Sequence, residues 1–377
     1  MQRISRRVVL LGAVGAGLAA CSGGKPPPAD PSATALSPTA GPVPSATPAS
    51  SPDTRPRWPL TGKLLGEGSQ ADHAAVAVKV PDNQNEHPQR GIDEADIVFV
   101  ELDGYRDAAG HSGTRLVPVF HSRLPISVAP VRSIRPVDIQ LLSPLNALIG
   151  NTGAAPWVIN YVKHYRAHLE GMLSYLNMKG TGAYGTDVSR VYRLNGNFYY
   201  DRAIICHPKI LGRQTKRFRS GPPQPYFPFV SRGEEVSARQ GKPGRFIKIP
   251  YQGDGYFMGY RYDKKTQRYQ RSMPWGPHLL ADGTRVSTDN VLVIKAKQHY
   301  GKIFHGRGRA EPLQDIIHAS GRFYYLNRGR YVRGTWRKGA VSDPFEFTLD
   351  DGTPLKMAPG QTFVELPDTD ALIHIKA

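Results

Sequence analysis

The sequence predicts an α+β protein, in which an α/β N-terminal lobe with a mixed sheet and helices is followed by a mostly-β C-terminal lobe. Three observations lead there. Between Ala75 and Leu176, short β-rich runs alternate with segments that can form helices, the pattern of an α/β lobe. Between Gly212 and Gly244 the chain is rich in Pro, Gly and basic residues, with Pro222-Pro223-Gln224-Pro225 inside, which reads as a connecting loop. From Phe246 onward the apolar runs are short and aromatic, and turn pairs separate them.

The elements follow in order. Ala75–Val80 is a short β-rich run, stopped by Pro81-Asp82-Asn83. Asp96–Glu101 has a continuous apolar centre, as expected of a strand buried on both faces. Arg115–Phe120 is a third strand, and Pro118 inside it predicts an edge position or a bulge, because proline cannot donate to the ladder. Val137–Leu142 can form a short helix after Pro136. Asn146–Ile149 is a fourth strand. Pro156–Leu176 carries apolar residues at helical spacing, with Pro156 suited to the first turn. In the second lobe the runs include Gly255–Tyr262, Val291–Ile294 and Gly321–Leu326. Asp282-Gly283, Asn327-Arg328-Gly329 and Asp351-Gly352 punctuate the lobe as turns.

The N-terminus predicts export. Arg3, Arg6 and Arg7 precede an uncharged apolar run from Val8 to Ala20, too short to remain as a spanning helix, which needs roughly 20 residues. The exit is Leu18-Ala19-Ala20-Cys21, the lipobox pattern, so residues 1–21 read as a lipoprotein signal with lipid attached at Cys21. Ser5-Arg6-Arg7-Val8-Val9-Leu10 is also compatible with twin-arginine export, and general secretion stays open. Residues 22–57 are built almost wholly from Pro, Ser, Ala, Thr and Gly and cannot bury enough surface to offset ordering entropy; they read as a disordered tether. The expected place is the extracytoplasmic face of a cell membrane. The expected organisation is an N-terminal domain over 58–211, a linker over 212–245 and a C-terminal domain over 246–377.

Lys and Arg number 49 against 31 Asp and Glu, for a net charge of +18. Residues 1–21 hold three of the arginines and no acid, so the remainder keeps +15. In a cationic exported chain the charge either serves solubility alone or attracts anionic partners of the envelope, such as lipid head groups, wall polymers or peptidoglycan carboxylates, and not nucleic acid. With Cys21 taken by lipid, Cys206 is left alone, which excludes an intramolecular disulfide and a cysteine-rich metal cage.

The folded part resembles the YerB-like lipoproteins, a bacterial family of paired domains of unknown function. In the first lobe the resemblance rests on Pro59-Leu60-Thr61-Gly62, Val76–Asn83, Pro88–Ile92, Ala95–Val98, Thr114-Arg115 and Pro130-Val131-Arg132-Ser133-Ile134-Arg135-Pro136. In the second it rests on Tyr262-Asp263, Asp289-Asn290-Val291, Gly334-Thr335-Trp336 and Pro359-Gly360. Where the family tends to Gly-Gly-Ser-Pro, this chain has Gly153-Ala154-Ala155-Pro156. Where it tends to Pro-His-Asn, this chain has Cys206-His207-Pro208. The resemblance implies location and domain pairing and carries no established reaction.

The candidate ligand-binding residues are Asp82, Asn83, Glu101, Arg115, Arg132, Ser133 and Arg135. Two guanidiniums three residues apart in a proline-bracketed segment can clamp a carboxylate or phosphate, and Arg115 can join them. Alternatively, the arginines pair with Asp93, Glu94, Asp96 or Glu101 to fix loops. Glu101 and Asp103 have strand spacing, so they can share one face as paired carboxylates or form a solvated strand end; Asp82-Asn83 closes a strand, where open α/β sheets gather ligands. Asn151-Thr152-Gly153 can offer backbone N–H groups to an anion but lacks the Walker lysine and the Rossmann spacing. His164 and His168 stand at i and i+4 without the glutamate of a zinc motif, and Cys206 and His207 are adjacent, which turns them apart on a strand. No cofactor and no metal are expected.

Two functions follow. One is a membrane-anchored lipoprotein that binds an anionic wall component or a wall-synthesis protein. The other is a wall-polymer hydrolase or transferase using Asp82, Glu101 and the arginines. They differ in geometry. Convergence of Asp82, Glu101, Arg115, Arg132 and Arg135 in one deep cleft supports chemistry, and their pairing off with neighbours supports binding.

Overall fold

The computed structural model describes residues 55–106, 112–165, 173–252 and 255–377. The signal segment, Cys21, most of the tether and His168 lie outside these residues.

The strands that position the site are β1 (Val76–Val78), β2 (Val80–Pro81), β3 (Ile97–Arg106), β4 (Ser112–Phe120) and β5 (Leu148–Gly150), followed by β6 (Phe246–Gln252), β7 (Tyr256–Asp263), β8 (Arg268–Met273), β9 (Asn290–Ile294), β10 (Ala319–Asn327), β11 (Arg330–Lys338) and β12 (Thr362–Glu365). Nine segments run side by side in an 11-stranded sheet, in the order Lys242–Pro243, β11, β10, β9, β12, β3, β4, β1, β5, while β2 pairs with β4 and Phe345–Leu349 with β11. The pairs β1–β5, β12–β3 and β9–β12 are parallel and the others antiparallel, so the sheet is mixed. Strands from the N-terminal and C-terminal halves meet at β12–β3, in the middle of that sheet. A six-stranded sheet containing β6, β7 and β8 covers one face. The helices α1 (Pro136–Leu142) and α2 (Pro156–His164) cover the other, and α3 (Pro208–Arg213) packs near β1 and β5.

The α+β architecture agrees with the sequence reading, since the described helices are short and from Phe246 onward the described regular elements are all strands. Period-two alternation places the core. Ala75, Ala77, Ile97, Phe99, Val117, Val119, Leu292 and Val364 pack on the helix side. Val76, Val78, Val98, Val100, Leu116, Phe120, Val291 and Phe363 pack against the six-stranded sheet. A continuous apolar run is what a strand buried on both faces requires.

Two expectations are corrected. Pro118 lies inside the sheet, opposite Val98 of β3, and not at an edge or a bulge. On its other side the ladder with β1 stops at Ala77–Val119 and resumes as β2 at Val80–Leu116. The missing donor of Pro118 therefore falls where the partner strand breaks. The break turns the Lys79 amide to Gly150 (2.9 Å) and leaves its carbonyl to accept from the Arg132 amide (2.8 Å). The helix expected over Pro156–Leu176 ends at His164. Leu173 is instead buried on the opposite side of the sheet, and the Tyr175 amide donates to Asn151 just beyond β5.

Candidate functional site

Just beyond β2, in the second half of β3 and in the first half of β4, the apolar alternation gives way to charge. The same parity continues, so the charged residues sort onto the two faces of the sheet.

On the helix face stand Lys79, Glu101, Asp103 and Arg115, all buried. The Lys79 ammonium donates to Glu101 and to Asp138 of α1 (2.9 Å). Desolvation pulls Lys79 down to about 7, against the attraction of Asp138. The Asp103 carboxylate takes Arg115 Nε at 2.5 Å, Arg135 at 3.0 Å and the Asn83 amide at 2.7 Å. Gly113 allows the last contact, because a Cβ there would collide with the Asn83 side chain. Arg115 also donates to the Ser133 carbonyl, and Arg135 donates through Nε to the Asp103 carbonyl (2.9 Å) and faces Glu311 at 3.5 Å. Burial and the neighbouring Arg135 pull Arg115 down to about 10, which still leaves it charged at neutral pH. Asp138 accepts from the Arg135 amide (2.6 Å), capping α1 and fixing the Pro130–Pro136 segment.

On the other face stand Asp82 and Glu365, with Arg271 of β8 between them, all fully buried. Arg271 grips Asp82 through both terminal nitrogens, at 2.7 and 3.2 Å. Asp82 also accepts from Thr114 (2.7 Å) and Gln89 (3.3 Å) and lies 3.1 Å from His87 Nε2. Burial works to raise this carboxyl, but Arg271 and His87 outweigh it and hold it well below the usual range. Arg271 donates to His278 Nδ1 (2.8 Å). A guanidinium only donates, so Nδ1 is the acceptor, and Nε2–H donates to Gln89 Oε1 at 2.9 Å. Burial and Arg271 hold His278 far below its ordinary value, in agreement with a neutral ring. Glu365 accepts from Tyr260 (2.5 Å) and Tyr251 (2.8 Å).

Asp82, His87 and His278 bring potential metal-ligating atoms within 4.8 Å of one another. Arg271 occupies both Asp82 oxygens and the His278 Nδ1 lone pair, so a dication there would displace or repel a buried guanidinium. This set does not fit a metal.

The seven candidate residues thus fall into separate groups. Glu101, Arg115, Arg135 and Asn83 belong to the helix-face network. Asp82 lies on the opposite side of the sheet. Arg132 reaches outward to Glu86 and to Asp201 (2.7 Å), and the Ser133 hydroxyl lies 3.2 Å from Thr152. The arginines pair with Asp103, Glu86, Asp201 and Glu311 and not with Asp93, Glu94, Asp96 or Glu101. The amides at Thr152 and Gly153 are already used by the Arg132 carbonyl and the Asn151 side chain. Burial pushes the Cys206 thiol up, and His207 turns to the Ile126 carbonyl (2.8 Å). Ala155, which stands where the family tends to serine, is the residue capping α2 and supplies no side-chain bond, so a serine there would be a helix cap.

Lys79, His87, Gln89, Arg271, His278 and Glu365 were not singled out from the sequence. Parity could have found Lys79, which continues the face of Ala75 and Ala77. Nothing in the sequence pairs Arg271 with a residue 189 positions away.

The Glu365 carboxyl carries a pH signature. Burial raises it, and Arg271 and the two tyrosines only partly oppose this. A carboxyl raised on folding holds more protons folded than unfolded, so stability falls as pH rises from the unfolded carboxyl value through the folded one. Glu365→Gln is expected to flatten that fall in denaturant titrations across the window above pH 4.5. An unchanged slope would show that Glu365 contributes nothing to it.

The chain is similar to known proteins over most of its length. A model described as the DUF3048 N-terminal domain, of unknown function, matches residues 60–196, and its C-terminal counterpart matches 247–364. A Bacillus subtilis (strain 168) protein named "Putative lipoprotein YerB" is 25% identical over 331 residues, covering 85% of this chain and 89% of that protein. The crystal structure of YerB from Bacillus subtilis superposes with a TM-score of 0.63 at 21% identity, over 85% of this chain and all of that one, which shows a shared fold. With both domain models matched in order across more than half of its length, the chain belongs to the DUF3048 family of YerB-like lipoproteins, whose paired domains have no assigned function.

Proposed function

We propose that this protein is a lipoprotein held by a lipid on Cys21 at the extracytoplasmic face of a membrane, where it binds an anionic component of the cell envelope or a protein of wall synthesis. One observation carries the binding part. Among the described residues, eight Asp and Glu side chains are buried against five Lys and Arg, so the positive excess of the chain lies on residues outside the core. Such a surface attracts anionic partners over distances that salt controls. The lipid anchor is supported by Leu18-Ala19-Ala20-Cys21 and by the relative's printed name. Within the candidate set, Asn83, Arg132 and Ser133 are the half-buried members; Arg132 already pairs with Glu86 and Asp201, and Arg115 and Arg135 hold its segment in place. The separation of Asp82 from Glu101 by the sheet, each neutralised by a buried cation, weighs against the wall-polymer hydrolase or transferase.

Two measurements on one preparation test this. In detergent phase partition the wild type should enter the detergent phase and Cys21→Ser should not; equal partition contradicts the anchor. Retention on purified anionic wall polymer should be strong at low salt and lost as the screening length falls from about 10 Å at 0.1 M to about 3 Å at 1 M. Salt-independent retention contradicts a basic contact surface.

A further inference from the structure

An arm of the chain projects apolar side chains with no core to cover. The strands Tyr192–Leu194 and Asn197–Tyr199 form a hairpin closed by Asn195 and Gly196, both at positive φ (47° and 80°) as a two-residue turn requires. Beside the turn Phe198 is 63% exposed and Leu194 53%, and nearer the base Val188 is 78% exposed and Tyr200 53%. The base is fixed. Arg190 donates to the Pro88 and Glu86 carbonyls (2.5 and 2.6 Å), Asp201 accepts from Arg132, and Asp187 lies 3.5 Å from Arg90. The arm is therefore held out from the body with its acids neutralised at the base. Arg193 stays near the tip, 5.6 Å from the Phe198 ring, and Arg202 covers Tyr192 at 4.2 Å.

We propose that this hairpin is a second membrane contact, which dips its apolar tip into the interface of an anionic bilayer. The inference rests on the lipid anchoring proposed above. Aromatic and aliphatic side chains flanked by arginine suit the head-group region, where rings sit at the boundary and guanidiniums meet phosphates. The described body begins 34 residues after Cys21, a separation that an extended chain spans in at most about 120 Å, so the bilayer is within reach. Anchoring makes the contact intramolecular, and a small apolar tip then suffices. A glycan platform fits less well. Tyr192 and Tyr199 stack on each other (5.3 Å, 15°), with Arg202 over Tyr192, and Val188 and Leu194 are aliphatic.

The test uses the full lipidated chain inserted into vesicles through its own anchor. Cys206 is buried, so a dye at Asn197→Cys reports the tip alone. In vesicles of phosphatidylglycerol and phosphatidylcholine, head-group quenchers should dim the dye and aqueous iodide should not reach it. A dye at Lys264→Cys, in the turn between β7 and β8, should stay open to iodide. Arg193→Gln should weaken engagement about fivefold, since each basic residue near an anionic surface contributes about that much. Leu194→Asp with Phe198→Asp should return the dye to water while the circular dichroism is unchanged. A tip as open to iodide as Lys264→Cys, or a tip shielded by purified wall glycan in detergent without bilayer, overturns the proposal. Flotation is scored separately. Protein that does not float overturns the anchor and the contact that depends on it; protein that floats with an open tip overturns the hairpin contact alone.

Discussion

Arg271→Met is expected to lower the unfolding free energy by about 3–5 kcal/mol, the usual cost of stranding a buried charge. The side chain has no exposure and sits between the sulfurs of Met258 and Met273, so methionine fits the space. What it leaves behind is Asp82, equally buried, with Thr114, Gln89 and His87 as its remaining partners. Pairing Arg271→Met with Asp82→Leu should recover part of the loss, because both charges are then gone. Chemical denaturation of the three variants measures this. A double variant no more stable than Arg271→Met would show that the ion pair is not the source of the effect.

The second large effect concerns the two halves of the chain. Residues 58–211 or 246–377 expressed alone should show no cooperative unfolding transition, and the two together should restore one. The reason is where they join. β3 and β12 are neighbouring parallel strands buried on both faces, and cutting between them opens an apolar edge. The same cut strands Asp82 from Arg271 and removes the bonds from Tyr251 to the Val100 carbonyl (2.8 Å) and from Tyr256 to the Asp82 carbonyl (3.1 Å). A cooperative transition for either fragment alone would contradict this account of the join.

Much of the fold was legible because it is local. The four N-terminal strands, the helix after Pro136 and the strand-rich second half follow from apolar runs and turn residues that act over a few positions. Pro118 misled because an edge was the simple place for a missing donor. The chain accommodates it by breaking the neighbouring strand at Lys79, a long-range arrangement. The candidate site was partly legible. Glu101 and Asp103 do share a face, and the proline-bracketed segment is fixed at the sheet end, where the Arg132 amide meets the Lys79 carbonyl. Asp82 and Glu101 fall on opposite faces, and parity alone could have told them apart once the break at Lys79 was known. The partners of the arginines were not legible, since Asp103, Glu86, Asp201 and Glu311 are brought in from four separate segments. The Asn195-Gly196 turn carried a plain hairpin signal between aromatic residues.

The central claim is that the buried charges hold the fold while the basic surface makes the contact. It is tested most directly by the affinity for purified anionic wall polymer of the Asp82→Leu, Arg271→Met double variant, measured where it is fully folded. The account predicts an affinity equal to the wild type. A folded double variant that has lost binding would place Asp82 and Arg271 in the working site and contradict it.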